Sequence, residues 1–504
     1  MVTRATRPFM TVMMIAAVAL FLTPAIASAA TCENLTGLAI TQGTVTRAQV
    51  VAAGAFTQGG GGGARGGNQF GDLKAFCRVE ATLKPSSDSD IKIEVWLPVE
   101  GWNNKFEAVG NGGWTGSIAY PAMADALRRG YAAASTDTGH SGGAQPLMGH
   151  PEKVVDFGYR AVHEMTVKAK AIINAFYGAA PRYAYWNGCS AGGRQGLQEA
   201  QRYPADFDGI IAGAPAINFT GRATQAVWIG QATHKSEDSA IPQSKFALIH
   251  DAVLNQCDSL DGVKDGVLEN PMQCKFDPKV LECKAGDAAS CLTPAQVETA
   301  RAIYAPVVNS RTKAEIFPGL SPGSENGWNT MAGQRPFSIG VDYFQYVLFG
   351  DPGWDYRTLN FDSDMTRMEK ADNGTINALD PNLKPFFDRG GKIIQYHGWA
   401  DPQIASMSSV TYYRQVLDKL GGATKVQANH RLFMVPGMAH CGGGDGPNSF
   451  DMLTALEDWV EKGKAPEKVI ASRQGRTRPL CPFPQVATYN GSGNTDDAAN
   501  FTCK

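Results

Sequence analysis

Short apolar runs recur along this chain, bounded by turn residues and separated by stretches with helical spacing. Lys92 to Leu97, Lys105 to Gly110, Tyr131 to Ser135, Tyr183 to Asn187 and Gly209 to Ala214 each read as a buried strand. Between the third and fourth, Tyr159 to Phe176 carries apolar residues at the three-to-four spacing of a helix. Buried strands separated by helices predict a parallel sheet, and hence an α/β fold. The pattern breaks after about residue 217, where polar turns, cysteines and aromatic clusters replace the strand signals. It resumes at Lys392 to Tyr396 and again at Arg431 to Val435. One α/β domain over residues 31–217 and 379–504, interrupted by an insertion over 218–378, accounts for this return. A separate sequential domain is the alternative, and the resumption of the strand pattern disfavours it.

The first thirty residues follow a different pattern. Arg4 and Arg7 precede an apolar run from Phe9 to Leu22, and Ala27-Ser28-Ala29 is a small-residue cleavage pattern. Residues 1–30 therefore read as a secretory signal peptide. An uncleaved anchor is the alternative, but Pro24 and the short run fall below the roughly 20 apolar residues of a spanning helix. The ten cysteines all follow this segment, and their even number suits five disulfides in an oxidising compartment, secreted or periplasmic. None shows C-x-x-C spacing, which argues against a zinc ribbon or a thioredoxin-type site. A net charge of −2 offers no electrostatic basis for binding nucleic acid or an anionic membrane. The glycine run from Gly59 to Gly67 lacks the Lys-Ser/Thr of a phosphate cradle and reads as a surface loop.

The candidate chemistry begins at Gly188-Cys189-Ser190-Ala191-Gly192. This G-x-S-x-G sequence lies between a predicted strand and a predicted helix, the setting of a nucleophile elbow. A serine hydroxyl needs a base to take its proton and an acid to orient that base, and in α/β-hydrolases the chain order is Ser, Asp or Glu, His. Asp401 follows the strand at 392–396, and His440 follows the strand at 431–435 in a glycine-rich loop. Each residue alone is unremarkable in a chain with 56 glycines, but together they satisfy both order and setting. The oxyanion donors expected from this arrangement are the amide of Ala191 and one from Gly112 or Gly113. Cys189 and Cys441 flank the serine and the histidine, so a Ser190–His440 contact would bring them within disulfide reach. Two buried free thiols are the alternative. In the insertion, Asp258, Asp261 and Asp265 alternate with glycines between Cys257 and Cys274, which suits either a calcium loop or an acidic surface turn.

These residues together resemble the tannase and feruloyl esterase family, which includes mono(2-hydroxyethyl) terephthalate hydrolase. The shared marks are Gly188 to Gly193, His397-Gly398-Trp399-Ala400-Asp401, Gly437 to Cys441 and the Cys257 to Val267 loop. The resemblance covers essentially the whole mature chain. It implies an α/β-hydrolase fold whose insertion is a lid, and Ser190, Asp401 and His440 as nucleophile, acid and base. It places His397 near the substrate. It implies calcium on the Asp258, Asp261 and Asp265 carboxylates and the Val263 and Val267 carbonyls, with a structural role, and no organic cofactor. The implied disulfides are Cys189–Cys441, Cys32–Cys77, Cys257–Cys274, Cys283–Cys291 and Cys481–Cys503. The implied activity is hydrolysis of a small aromatic ester of feruloyl, galloyl or terephthalate monoester type. Arg335, Phe337, Tyr343, Phe344 and Tyr346 are candidates to line the acyl pocket. A lipase or peptidase, or a non-catalytic binding protein on a hydrolase fold, are the competing readings.

Overall fold

The computed structural model describes residues 1–5, 30–58, 69–114 and 116–504. The apolar run from 9 to 22, the 27–29 cleavage pattern and the glycine run between 59 and 67 lie outside the described residues. One ten-stranded sheet organises the chain. In spatial order its strands are Ala39–Ile40, Gly43–Val51, Phe76–Leu83, Ile91–Pro98, Ala132–Thr136, Lys105–Val109, Tyr183–Cys189, Gly209–Gly213, Lys392–Gly398 and His430–Val435. Every pairing from Ala132–Thr136 onward is parallel. This is the α/β sheet that the apolar runs predict, with each of the seven expected strands displaced by no more than two residues at either end.

The other side of the sheet differs from the expectation of a purely parallel sheet. Its pairings, from Ala39–Ile40 across to Ala132–Thr136, are antiparallel. Short links such as the one between Ile40 and Gly43 leave no room for a crossover helix. A bulge between Val45 and Arg47 separates the buried Val45 and Ala48 by three positions instead of two. That shift removes the alternation by which a half-buried strand is recognised.

Gly209–Gly213 and Lys392–Gly398 are parallel neighbours, with Gly209 opposite Lys392. The chain thus leaves the sheet and returns beside its point of departure. The residues between are mainly helical, including Phe219–Thr233, Phe246–Cys257 and Pro294–Tyr304, with a small hairpin at Val307–Val308 and Glu315–Phe317. Their buried Phe219, Ile249, Trp328 and Phe344 share an apolar cluster with Trp114, Phe157 and Ile404 from the sheet-bearing part. Arg194, fully buried on the helix Ala191–Arg202, donates to the carbonyls of Phe157, Gly158 and Ile376 and so ties that helix to the insertion. Five disulfides close, in the pairs Cys32–Cys77, Cys189–Cys441, Cys257–Cys274, Cys283–Cys291 and Cys481–Cys503. Among the described residues no helix is long and apolar enough to cross a membrane.

Candidate active site

The strand Tyr183–Cys189 ends at Ser190, and the helix Ala191–Arg202 begins immediately after it. The reversal forces Ser190 to φ 64° and ψ −121°, a conformation that a non-glycine residue holds only where the surroundings impose it. Two glycines make the turn possible. A Cβ on Gly188 would lie 2.6 Å from the backbone of Gly192, and one on Gly192 would lie 3.0 Å from Cα of Gly110. The serine therefore projects from a tight elbow at the carboxyl end of the parallel strands.

Asp401 and His440 reach the same end of the sheet on the loops after Lys392–Gly398 and His430–Val435. His440 Nδ1 lies 2.7 Å from Asp401 Oδ2. A carboxylate only accepts, so in the neutral ring the proton sits on Nδ1 and Nε2 is left as a base. Asp401 is 1% exposed, and its Oδ1 accepts the amides of Gln403 and Ile404 at 2.8 and 3.0 Å. Burial by itself would push this carboxyl up, but the imidazoles of His440 and His397 hold it well below the usual carboxylate range. It remains an anion throughout the neutral range and can stabilise an imidazolium on His440.

Ser190 and His440 line one cavity of about 410 Å³, within the range that accommodates a small ligand. Ala191, Gly112 and Gly113 line it too, and their amides meet no acceptor among the described residues. The cavity thus offers donors where an oxyanion would develop. Phe219, Ala216 and Ile339 form apolar walls. Trp114 Nε1 donates to the Ile339 carbonyl at 2.8 Å and fixes that wall to the glycine turn. Cys189–Cys441 joins the elbow to the loop that carries His440, with Cα atoms 6.0 Å apart.

His397, expected near the substrate, does not line the cavity. It is fully buried behind Asp401, with Nε2 3.1 Å from Asp401 Oδ2 and Nδ1 2.7 Å from Ser409 Oγ. Its place near the end of the strand Lys392–Gly398, which is paired on both sides, turns the ring inward, where it braces the carboxylate. Arg335 also falls outside the cavity and is exposed, while Tyr343 and Phe344 belong to the core of the insertion. Arg222 takes the place that sequence reasoning gave to Arg335. It lines the cavity from the helix Phe219–Thr233, lies 4.3 Å from the Phe337 ring centroid, and donates through Nε to the Gln403 carbonyl. No carboxylate among the described residues lies within ion-pairing distance of it. Burial pulls its guanidinium down to about 10, so it is still a cation at neutral pH. No motif surrounds Arg222, and only the return of residues 403–404 to the site reveals it.

A family model described as tannase and feruloyl esterase matches residues 77–504. The chain belongs to that family. It is 38% identical to an uncharacterized esterase of Xanthomonas campestris pv. campestris, over 97% of this chain and 93% of the relative. It is 34% identical to a probable feruloyl esterase B-2 of Aspergillus terreus, over 85% of this chain and 86% of the relative. The crystal structure of feruloyl esterase B from Aspergillus oryzae superposes with a TM-score of 0.88 at 32% identity, covering 94% of this chain and 99% of that one. The family membership makes this protein a carboxylic ester hydrolase, on an α/β-hydrolase fold.

The acidic loop in the insertion is compact. Asp258 is buried and accepts the amides of Asp265 and Gly266, while Asp261 accepts those of Val263 and Glu269. Burial pushes the carboxyls of Asp261 and Asp265 up, and neighbouring carboxylates add to it. Arg478 pairs with Asp265, but no basic side chain pairs with Asp258 or Asp261 among the described residues. The donor set is all oxygen, the type calcium prefers, but the three carboxylates do not gather within 4.8 Å of one another, and Asp265 is held by Arg476 and Arg478.

Proposed function

We propose that the protein is a secreted or periplasmic serine esterase that hydrolyses esters of aromatic acids, of feruloyl, galloyl or terephthalate monoester type. The observation that carries this reading is the hydrogen-bonded His440–Asp401 pair facing the cavity of the strained Ser190 elbow. In the proposed reaction, Ser190 Oγ attacks the ester carbonyl as His440 Nε2 takes its proton. The tetrahedral oxyanion is held by the amides of Ala191 and of Gly112 or Gly113. His440 then gives the proton to the departing alcohol, and water hydrolyses the acyl-enzyme by the same route. Residues 218–378 act as a lid, bringing Phe219, Arg222 and Ile339 over the elbow. Five disulfides accord with an exported protein. A panel of hydroxycinnamate, gallate and terephthalate monoesters tests the substrate class beside aliphatic esters and amides. Turnover of the aromatic-acid esters is expected to exceed that of the rest, and preferential cleavage of long-chain aliphatic esters or of amides would overturn the reading.

Arg222 is proposed to hold an oxygen on the acyl part of the substrate, since it lines the cavity and makes no direct ion pair among the described residues, feeling only the Asp401 charge at longer range. A charge-assisted hydrogen bond contributes about 1.5–3 kcal/mol, so Arg222→Met should raise KM about 10- to 100-fold. The effect is expected on substrates with a phenolic or carboxylate oxygen and not on an unsubstituted benzoate ester. Equal losses on both would assign Arg222 to the packing of Phe337 instead.

Calcium is proposed on Asp258, Asp261, Asp265 and the Val263 and Val267 carbonyls, where it would supply charge neutralisation in the insertion. Chelation with EGTA should lower the melting temperature by about 5 °C, and added calcium should restore it. A melting temperature indifferent to both would leave the loop as an acidic turn.

A further inference from the structure

Three side chains converge on the far half of the elbow helix, away from the ester site. His163 comes from the helix Ala161–Tyr177, Glu199 from Ala191–Arg202, and Asp206 from the turn that leads into Gly209–Gly213. Each offers a ligand atom, and these atoms lie within 4.8 Å of one another, a grouping that no other such trio reaches among the described residues. His163 Nδ1 is 2.6 Å from Asp206 Oδ2. The His163 ring stacks on Tyr203, with centroids 3.7 Å apart and planes 8° from parallel, so its orientation is fixed.

Glu199 makes the cluster unusual. It is 1% exposed, and neither carboxylate oxygen meets a hydrogen-bond donor among the described residues. Burying a carboxylate without a partner is costly, and here a second carboxylate stands beside it. The nearest ammonium, on Lys170, donates to the backbone carbonyl of Asp206 and not to either side chain. Glu199 follows Ser190 by nine residues, about 13 Å along the helix axis, so the cluster takes no part in ester cleavage.

We propose that His163, Glu199 and Asp206 form a structural site for a divalent transition-metal ion, zinc above all. One imidazole nitrogen with two carboxylates is a donor set that zinc accepts, whereas calcium prefers oxygen alone. The His163 side chain is 26% exposed, which gives the cluster access from solvent. Burial and the Asp206 charge both push the Glu199 carboxyl well up, the opposite of what a bound cation would do. A ligating imidazole is neutral, so zinc on His163 Nδ1 requires the ring proton on Nε2. The ion would cross-link two helices and the turn, and stiffen the base of the elbow helix.

Calorimetric titration of zinc into the chelator-treated mature protein tests the proposal, with excess calcium present to fill the acidic loop. One equivalent is expected to bind and to raise the melting temperature. Glu199→Gln keeps the size of the side chain, and His163→Phe keeps the stack on Tyr203. Each is expected to weaken zinc binding at least about 100-fold. X-ray absorption on the zinc-loaded wild type needs no variant, and should show one imidazole with oxygen ligands at about 2.0–2.2 Å. The absence of binding, undiminished binding in either variant, or a shell without imidazole would overturn the site and leave a carboxyl pair sharing one proton.

Discussion

Replacement of Ser190 by alanine is expected to lower kcat on a feruloyl or galloyl ester about a million-fold, the loss seen when a triad serine is removed. Its hydroxyl is the group that the elbow projects into the cavity beside His440. Without it no acyl-enzyme forms, and water must attack the ester directly. The residual rate would come from the amides of Ala191, Gly112 and Gly113 and from substrate binding. Alanine has the same Cβ as serine, so the backbone at φ 64° is no more strained than before and the melting temperature should not move. Product release followed by chromatography, together with a thermal melt, checks both halves of this expectation. Turnover within tenfold of the wild type would remove Ser190 from the chemistry.

Opening the Cys189–Cys441 bridge with a pair of alanines is expected to damage both stability and rate. The bond closes a loop of 252 residues, and removal of a native disulfide typically costs about 2–5 kcal/mol. It also holds the His440 loop against the elbow. A base displaced by about 1 Å loses about 100-fold in rate. Cys481–Cys503 provides the comparison, because it joins the strands near the C-terminus and does not line the cavity. Removing it should lower the melting temperature while kcat stays near the wild-type value. If both double variants lose rate equally, the bridge beside the serine has no positioning role.

Much of the fold is legible in local pattern. The parallel strands are buried on both faces, so each appears as a continuous apolar run, and Ser190 betrays itself by the glycines its turn requires. The outer antiparallel strands are less visible. They are buried on one face only, and the bulge near Val45 shifts the alternation that would mark them. The ten cysteines announce five bridges by number, but four of the five pairings come from the family resemblance, since connectivity is a property of space and not of spacing.

The sequence by itself determined the α/β class and the chain order of Ser190, Asp401 and His440. It could do so because strand burial, turn geometry and the elbow are set by residues close together in the chain. Only the tertiary structure decided which side chains line the cavity and which stand behind them. His397 turns inward to brace Asp401, Arg222 faces the cavity in place of Arg335, and Glu199 meets His163 and Asp206 beneath the elbow helix. Each outcome depends on which elements pack together across the sheet and the insertion, and those contacts join residues too far apart in sequence for any local pattern to record.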